Sequence, residues 1–260
     1  GFKADDFCCF LDLTEIKRML QDHDLFLNSV ISCSTFQEMQ KAPEAELNVL
    51  LGGDGLDCAK AMQEQFDIPY ISVPYPYGLT NSRKFIEDIA GALGTCARQQ
   101  VFDLERDRIK SIVQRAHMFF QGLYSTPAAV VGESGRAFDL ADFLSNELGM
   151  DVKLLVISSS NYETSKRMQS VEPSWRKLMI QPDRWEMNQA LKEAGVSLIF
   201  GSTFEKRVAS QIQASLVRVS YPVLDQISLS NLSIAGFSGI APISESIINS
   251  ILTRNKEEIN

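Results

Sequence analysis

The sequence predicts an α/β protein built of two Rossmann-like parallel-sheet domains joined by a long helix. Short apolar runs of strand type alternate with amphipathic stretches long enough to cross over a parallel sheet. Glycine-rich turns follow two of those runs, at 52–55 and 132–136. A charged helical stretch from Val101 to Leu123 divides the sequence nearly in half. The 260 residues suffice for about two domains at roughly 150 residues each. The expected division is a first domain at 1–100, a connecting helix at 101–122, and a second domain at 123–260 that ends in a helix.

The chain opens on an apolar, cysteine-containing piece, FCCFLDL, expected to close a first strand at Cys8 and Cys9. Thr14 to Gln21 has helical spacing, with Asp12 or Thr14 as its cap. Leu25 to Ser32 is a strand candidate, and Thr35 to Lys41 a short polar helix that must end before Pro43. Leu47 to Leu51 is a buried-type strand, followed by Gly52-Gly53-Asp54-Gly55 and a helix from about Leu56 to Phe66. Ile68 to Val73 is the next strand. It runs through the corner Pro74-Tyr75-Pro76-Tyr77-Gly78 into a helix whose apolar positions are Phe85, Ile86, Ile89 and Leu93, with Thr80, Asn81 or Ser82 suited to cap it. From Val101 to Leu123 the apolar residues fall at spacings of three and four, which gives one packed stripe.

The second half repeats the alternation. Pro127 to Val131 is a strand, 132–136 its turn, and Ala137 to Leu148 a helix closed by Gly149. Val152 to Ile157, Leu178 to Ile180, Val196 to Phe200 and Leu216 to Val219 are the following strands, with helices at Arg184 to Ala194 and up to about Gln213. Ser220 to Gly239 is irregular, and Ile243 to Thr253 is a terminal helix.

A formal charge of −8 and a pI near 4.9 argue against a phosphate-backbone partner, so no nucleic acid is expected. No apolar run approaches the ~20 residues that span a bilayer, and a soluble cytoplasmic protein with no membrane partner is expected. Five cysteines without a C-x-x-C pair fit neither a disulfide framework nor a zinc site, so no metal site is expected. The start at Gly1 without Met suggests a scar or a fragment of a longer protein. Two histidines permit no Ser-His-Asp or Cys-His arrangement. The best cradle is Gly132-Glu133-Ser134-Gly135-Arg136, where glycines let backbone approach a ligand and a helix N-terminus faces it, although Glu133 would repel a phosphate. A packing turn remains the bland alternative there, as it does at 52–55.

The ordered set LTEIKRML, LNVLL, FDIPY, YPYGLTNS, LERDR, VVGESGRAFDLADFLSNELGM, VSYPVLD, AGFSGI and ESIIN resembles nitrogenase component 1, across nearly the whole chain. That family comprises molybdenum-iron protein subunits, assembly scaffold proteins and protochlorophyllide reductase relatives. The resemblance covers the second and third of the family's three α/β domains. It implies ATP-dependent electron-transfer reduction or metallocofactor assembly, with a homologous subunit and an ATP-dependent iron protein as partners. The catalytic subunit holds its cofactor by a Cys after one strand and a His at the end of another. Leu51-Gly52 and Val219-Ser220-Tyr221 stand at those places here, so nitrogen reduction by this chain is not expected. No cofactor is expected in this stretch, and an iron-sulfur cluster only in a longer parent. The resemblance nominates Gly132, Ser134, Gly135 and Arg136, with Cys8 and Cys9, as cofactor contacts. The alternatives are a binding module for a tetrapyrrole or another anionic small molecule, and a structural pseudo-subunit.

Overall fold

The computed structural model describes residues 8–169, 173–227 and 232–257. Helix α1 (Cys9–Asp22) and a short α2 (Phe36–Gln40) lead to strand β1 (Asn48–Leu51), helix α3 (Leu56–Phe66), strand β2 (Tyr70–Val73) and helix α4 (Gly78–Ala92). Helices α5 (Gln99–Arg115) and α6 (His117–Gln121) follow. Strand β3 (Pro127–Glu133) then runs directly into helix α7 (Ser134–Asp142). The chain ends with β4 (Asp151–Ser159), α8 (Tyr162–Arg167), β5 (Lys177–Ile180), α9 (Arg184–Glu193), β6 (Leu198–Gly201), α10 (Lys206–Gln211), β7 (Ser215–Arg218) and α11 (Gly236–Glu257).

The strands form two all-parallel sheets, β1-β2 and β5-β4-β3-β6-β7. In the larger one the order reverses between β3 and β6, as in a Rossmann-like half. Alternate residues of its strands feed different cores, because side chains along a strand point to opposite faces. Ala128, Val130, Leu155, Leu198 and Phe200 join α1, α4, α7 and α11 on one face. Ala129, Val131, Leu154, Val156 and Ile199 pack against α9 and α10 on the other. The first of these cores also takes in Leu51, Val73, Tyr75 and Tyr77, so it is continuous across both sheets.

Several expectations need correction. Leu25 to Ser32 is not a strand: β1 and β2 pair only with each other among the described residues, and the amide of Leu25 turns back to Leu20 O at 2.9 Å. Without a neighbouring strand an extended segment cannot satisfy its backbone groups. Cys9 opens a helix instead of closing a strand, with Cys8 as its N-cap at φ 62°, and residues 1–7 lie outside the described residues. Asp12 is no cap but a buried residue of the first turn of α1. The long central helix breaks at Ala116, which takes φ −110° between α5 and α6. None of Thr80, Asn81 and Ser82 caps α4; the Glu147 carboxylate accepts from Leu79 N and Thr80 N, both at 2.8 Å. Ala137 to Leu148 divides into α7 and a π-turn at Phe143–Glu147, after which Gly149 takes φ +69° as anticipated. Within Ser220 to Gly239 the terminal helix already starts at Gly236, its first turn anchored by Ser238 N donating to Glu15 Oε1 at 3.0 Å; residues 228–231 lie outside the described residues.

Candidate functional site

Open α/β sheets bind ligands where the strand order reverses, at the strands' carboxyl ends. In the larger sheet β3 delivers Gly132, Ser134, Gly135 and Arg136 to that place. Gly132 lies within the strand, where an added Cβ would sit 3.5 Å from Ala137 Cβ and 3.6 Å from Ser220 Cβ. Ser134, the first residue of α7, is 1% exposed and its hydroxyl accepts from Thr164 Oγ1 at 2.7 Å.

Gly135 meets the other glycine turn. A Cβ built on it would lie 2.6 Å from Gly52 O, and one on Gly52 would lie 2.4 Å from Gly135 O. The two turns therefore pack backbone to backbone, closer than any side chain permits. Asn161, just beyond β4, fixes the contact through Nδ2, which donates to Gly52 O at 2.8 Å and Asp54 Oδ1 at 2.7 Å. Both motifs picked out in the sequence for approach to a ligand thus approach each other.

Arg136 turns to the opposite side. Its guanidinium lies 4.3 Å over the ring of Tyr75, a cation–π arrangement. Tyr75, 1% exposed, donates its hydroxyl to Asp12 Oδ2 at 2.6 Å. Asp12 Oδ1 accepts from Ser233 Oγ at 2.7 Å, Ile234 N at 2.9 Å and Ala235 N at 3.2 Å. Complete burial raises the Asp12 pKa above the usual carboxylate value, against the opposing charge of Arg136 and the bonds from Tyr75, Ser233 and Ile234. Burial likewise holds the Tyr75 phenol well above its ordinary range. Here α1, the tyrosine corner, α7 and the segment before α11 converge on one carboxylate. Cys8 and Cys9 lie one turn before Asp12 at the start of α1, so of the nominated residues only Arg136, Cys8 and Cys9 fall near this centre. They do not form one ligand set: Cys9 is 2% exposed and its Sγ lies 4.0 Å from Cys33 Sγ, while Cys8 lines a cavity of about 950 Å³ between β7 and α11.

A smaller cleft of about 380 Å³ lies beside the glycine contact, lined by Gly52, Ser134 and Gly135 with Lys84, Lys166 and Arg167. Arg167 pairs with Asp139 and, at 2.8 Å, with Asp142; Lys84 pairs with Asp88 at 2.7 Å. Asp139, 1% exposed, also accepts from Tyr75 N at 2.6 Å. Among the described residues no group of three or more His, Cys, Asp or Glu side chains could hold a metal ion. Sequence reasoning missed Asp12, Asp139 and Arg167 as parts of this region. Their partners are 25 to 223 positions away, and a lone Asp or Arg on a helix gives no local signal. His23, the C-cap of α1, is buried against Phe102 at 4.7 Å; its Nδ1 accepts from Arg98 N at 2.9 Å, and burial lowers its pKa.

The family profile described as Nitrogenase component 1 type Oxidoreductase matches residues 6–252. The nitrogenase vanadium-iron protein beta chain of Trichormus variabilis is 24% identical over 92% of this chain and 57% of its own length. The B subunit of the light-independent protochlorophyllide reductase of a Picosynechococcus is 24% identical over 92% of this chain and 48% of its own. The nitrogenase molybdenum-iron protein beta chain of Clostridium pasteurianum is 23% identical over 95% and 58%. The chain thus spans about half the length of the curated relatives it matches. A solved structure of nitrogenase Cp1 at pH 6.5 superposes with a TM-score of 0.79 at 21% identity, over 99% of this chain and 59% of that one.

Proposed function

Because the chain belongs to the nitrogenase component 1 type oxidoreductase family, we propose that it is the companion subunit of a reductase of this type. It pairs with a homologous nitrogenase-like subunit in the cytoplasm and serves ATP-dependent electron-transfer reduction, or assembly of a metallocofactor, with an ATP-dependent iron protein as electron donor. It does not hold the catalytic cofactor. The three relatives described above are all beta chains or B subunits, which agrees with this role.

The observation that carries the reading is the contact of Gly52 with Gly135. By the resemblance, Leu51-Gly52 and Val219-Ser220-Tyr221 stand where the catalytic subunit has its cofactor ligands, a Cys and a His. Any Cβ at Gly52 would overlap the backbone of Gly135. Ser220 donates its hydroxyl to Val131 O at 3.1 Å. Neither supplies thiolate or imidazole. An iron-sulfur cluster, which the family implies, takes four Cys thiolates. Here Cys9 and Cys33 touch, and no metal-holding group of three forms among the described residues. The donor set does not fit a cluster held by these residues alone.

Co-expression of the native protein with a homologous α-type subunit tests the reading. The expected product is a hetero-oligomer that carries iron and accepts electrons from the iron protein only with ATP, while this chain alone takes up no iron when reconstituted anaerobically with iron and sulfide. Iron bound stoichiometrically by the isolated chain, or failure to associate, would overturn it.

A second reading rests on the smaller cleft. Lys84, Lys166 and Arg167 beside Ser134 and Gly135 suit the carboxylates of a tetrapyrrole or another anionic small molecule. In that reading Ser134 and Gly135 touch the ligand, while Arg136 supports the site from behind through Tyr75. Thermal stabilisation by a dicarboxylic porphyrin that is lost in Lys166→Glu, with no iron bound, would favour it over the first.

A further inference from the structure

The thiols of Cys9 and Cys33 face each other between the start of α1 and the stretch that follows it. Cys9 opens α1 at 2% exposure, and Cys33 lies in the stretch without helix or strand between α1 and α2, half-buried. The two are 24 positions apart, and their sulfurs stand 4.0 Å from each other. A disulfide needs about 2.05 Å between sulfurs, so one must advance by roughly 2 Å. The stretch that carries Cys33 can supply the movement, because no helix or strand holds it and its turn rests on local bonds: Cys33 N donates to Val30 O at 2.9 Å and Val30 N to Ser34 Oγ at 2.9 Å. Ser32 Oγ lies 3.6 Å from Cys33 Sγ, within reach to donate to a thiolate there.

We propose that Cys9 and Cys33 form a redox-active dithiol, which a small-molecule disulfide of the glutathione type converts to an intramolecular disulfide. The burial of the two residues fixes the order of events. The more accessible Cys33 loses its proton to solvent, and its thiolate attacks the small disulfide. A mixed disulfide forms and one glutathione thiolate leaves, which takes up a proton. Cys9 then loses its proton and attacks the Cys33 sulfur, expelling the second glutathione thiolate, which is protonated in turn. The protein dithiol is oxidised by two electrons, and the small disulfide is reduced to two thiols. The product ties the start of α1 to a segment that exposes Phe26 at 79% and Ile31 at 45%. Cys58 and Cys96, both exposed, stop at mixed disulfides, and Cys8 lies along the cavity beside β7.

The test equilibrates the native protein anaerobically with graded ratios of oxidised to reduced glutathione, traps thiols by alkylation and maps peptides by mass spectrometry. A Cys9–Cys33 cross-linked peptide is expected, reversible with dithiothreitol, alongside glutathione adducts on Cys58 and Cys96. In Cys9→Ala the reaction is expected to halt with one glutathione on Cys33. Both Cys9 and Cys33 recovered alkylated at ratios that fully modify Cys58 and Cys96, or a cross-link from Cys33 to Cys8, would overturn the proposal. The wild-type map decides even if Cys9→Ala folds poorly.

Discussion

The two sheets are built on unequal terms. The five-stranded sheet is covered by helices on both faces, and residues such as Ala128, Leu155, Ile199 and Phe200 are wholly inaccessible. The two-stranded sheet buries Leu50, Leu51 and Val73, yet leaves Val49 38% exposed, and its neighbour α3 buries only Ala59. A sheet of two strands is marginal by itself. Polar groups of the larger sheet's half hold the smaller half in place: Asp139 on Tyr75 N, Glu147 on the start of α4, and Asn161 on Gly52. Asp12 and Glu15 of α1 return the connection to the segment leading into α11 and to the first turn of that helix. The first half thus borrows its order from the second through side chains aimed at its backbone N–H and C=O groups.

Breaking the backbone contact should have the largest effect. Gly52→Val combines φ +63° with overlap on Gly135 and is expected to cost about 4 kcal/mol in urea unfolding. Gly55→Val takes φ +86° with its nearest atom 3.8 Å from the Cβ position, and is expected to cost about 2 kcal/mol. Equal losses would show that backbone strain alone, and not the contact between halves, matters there. Hydrogen exchange sharpens the point: in Gly52→Val the amides of β1 and β2 should lose protection before those of β3 and β4.

Asp12→Ala removes a buried acceptor of several hydrogen bonds and is expected to cost about 3 kcal/mol. Asp12→Asn tests the electrostatics. Burial raises the folded pKa of Asp12 above its ordinary value near 3.8, so the folded chain holds that proton more tightly than the unfolded one. Its contribution is fully present below the ordinary value and is lost as pH rises through the raised one. The stability of wild type relative to Asp12→Asn should therefore decline as pH rises from about 4, then level off. A rising difference would mean that the bonds to Asp12 outweigh its burial.

Glu147→Gln weakens the cap on α4 and should cost about 1 kcal/mol, with exchange faster in the first turn of α4 and unchanged in α9, which has its own capping box at Asp183 and Glu186. The smallest effect belongs to Asp225, held below the usual carboxylate range first by Arg218 and then by Thr203. A lowered pKa contributes stability above the ordinary value that is lost as pH falls through the depressed one. Asp225→Asn should lower the Tm less than Glu147→Gln does, and only at pH above the carboxylate range. Its ties stay within the larger half, so β1 and β2 should not respond.

The same inequality marks what the sequence made legible. Strands β3 and β4 carry the apolar runs Ala128 to Val131 and Leu154 to Ile157 because both faces are covered, and α3 begins and ends where its spacing predicts, at Leu56 and Phe66. The segment at Leu25 to Ser32 has the apolar residues of a strand, in Leu25-Phe26-Leu27 and Val30-Ile31. No strand lies beside it, and sideways pairing leaves no trace in local pattern. The glycines of 52–55 and 132–136 were visible as places of close approach. What approaches them was not, since Gly52 and Gly135 are remote in sequence and neither turn differs locally from a ligand cradle. Arg136 stood out in its turn, but its ring and carboxylate partners come from two other elements.

The paired glycines also have a mechanical meaning. Two lobes with a ligand cleft between them commonly open and shut about a hinge, and side chains at the seam slide as they do so. At Gly52 and Gly135 nothing pliable intervenes: main chain rests on main chain, with Asn161 pinned across it. A seam of that kind resists shear. Relayed motion between a docking surface and a partner subunit would then pass through the protein as the displacement of a single body.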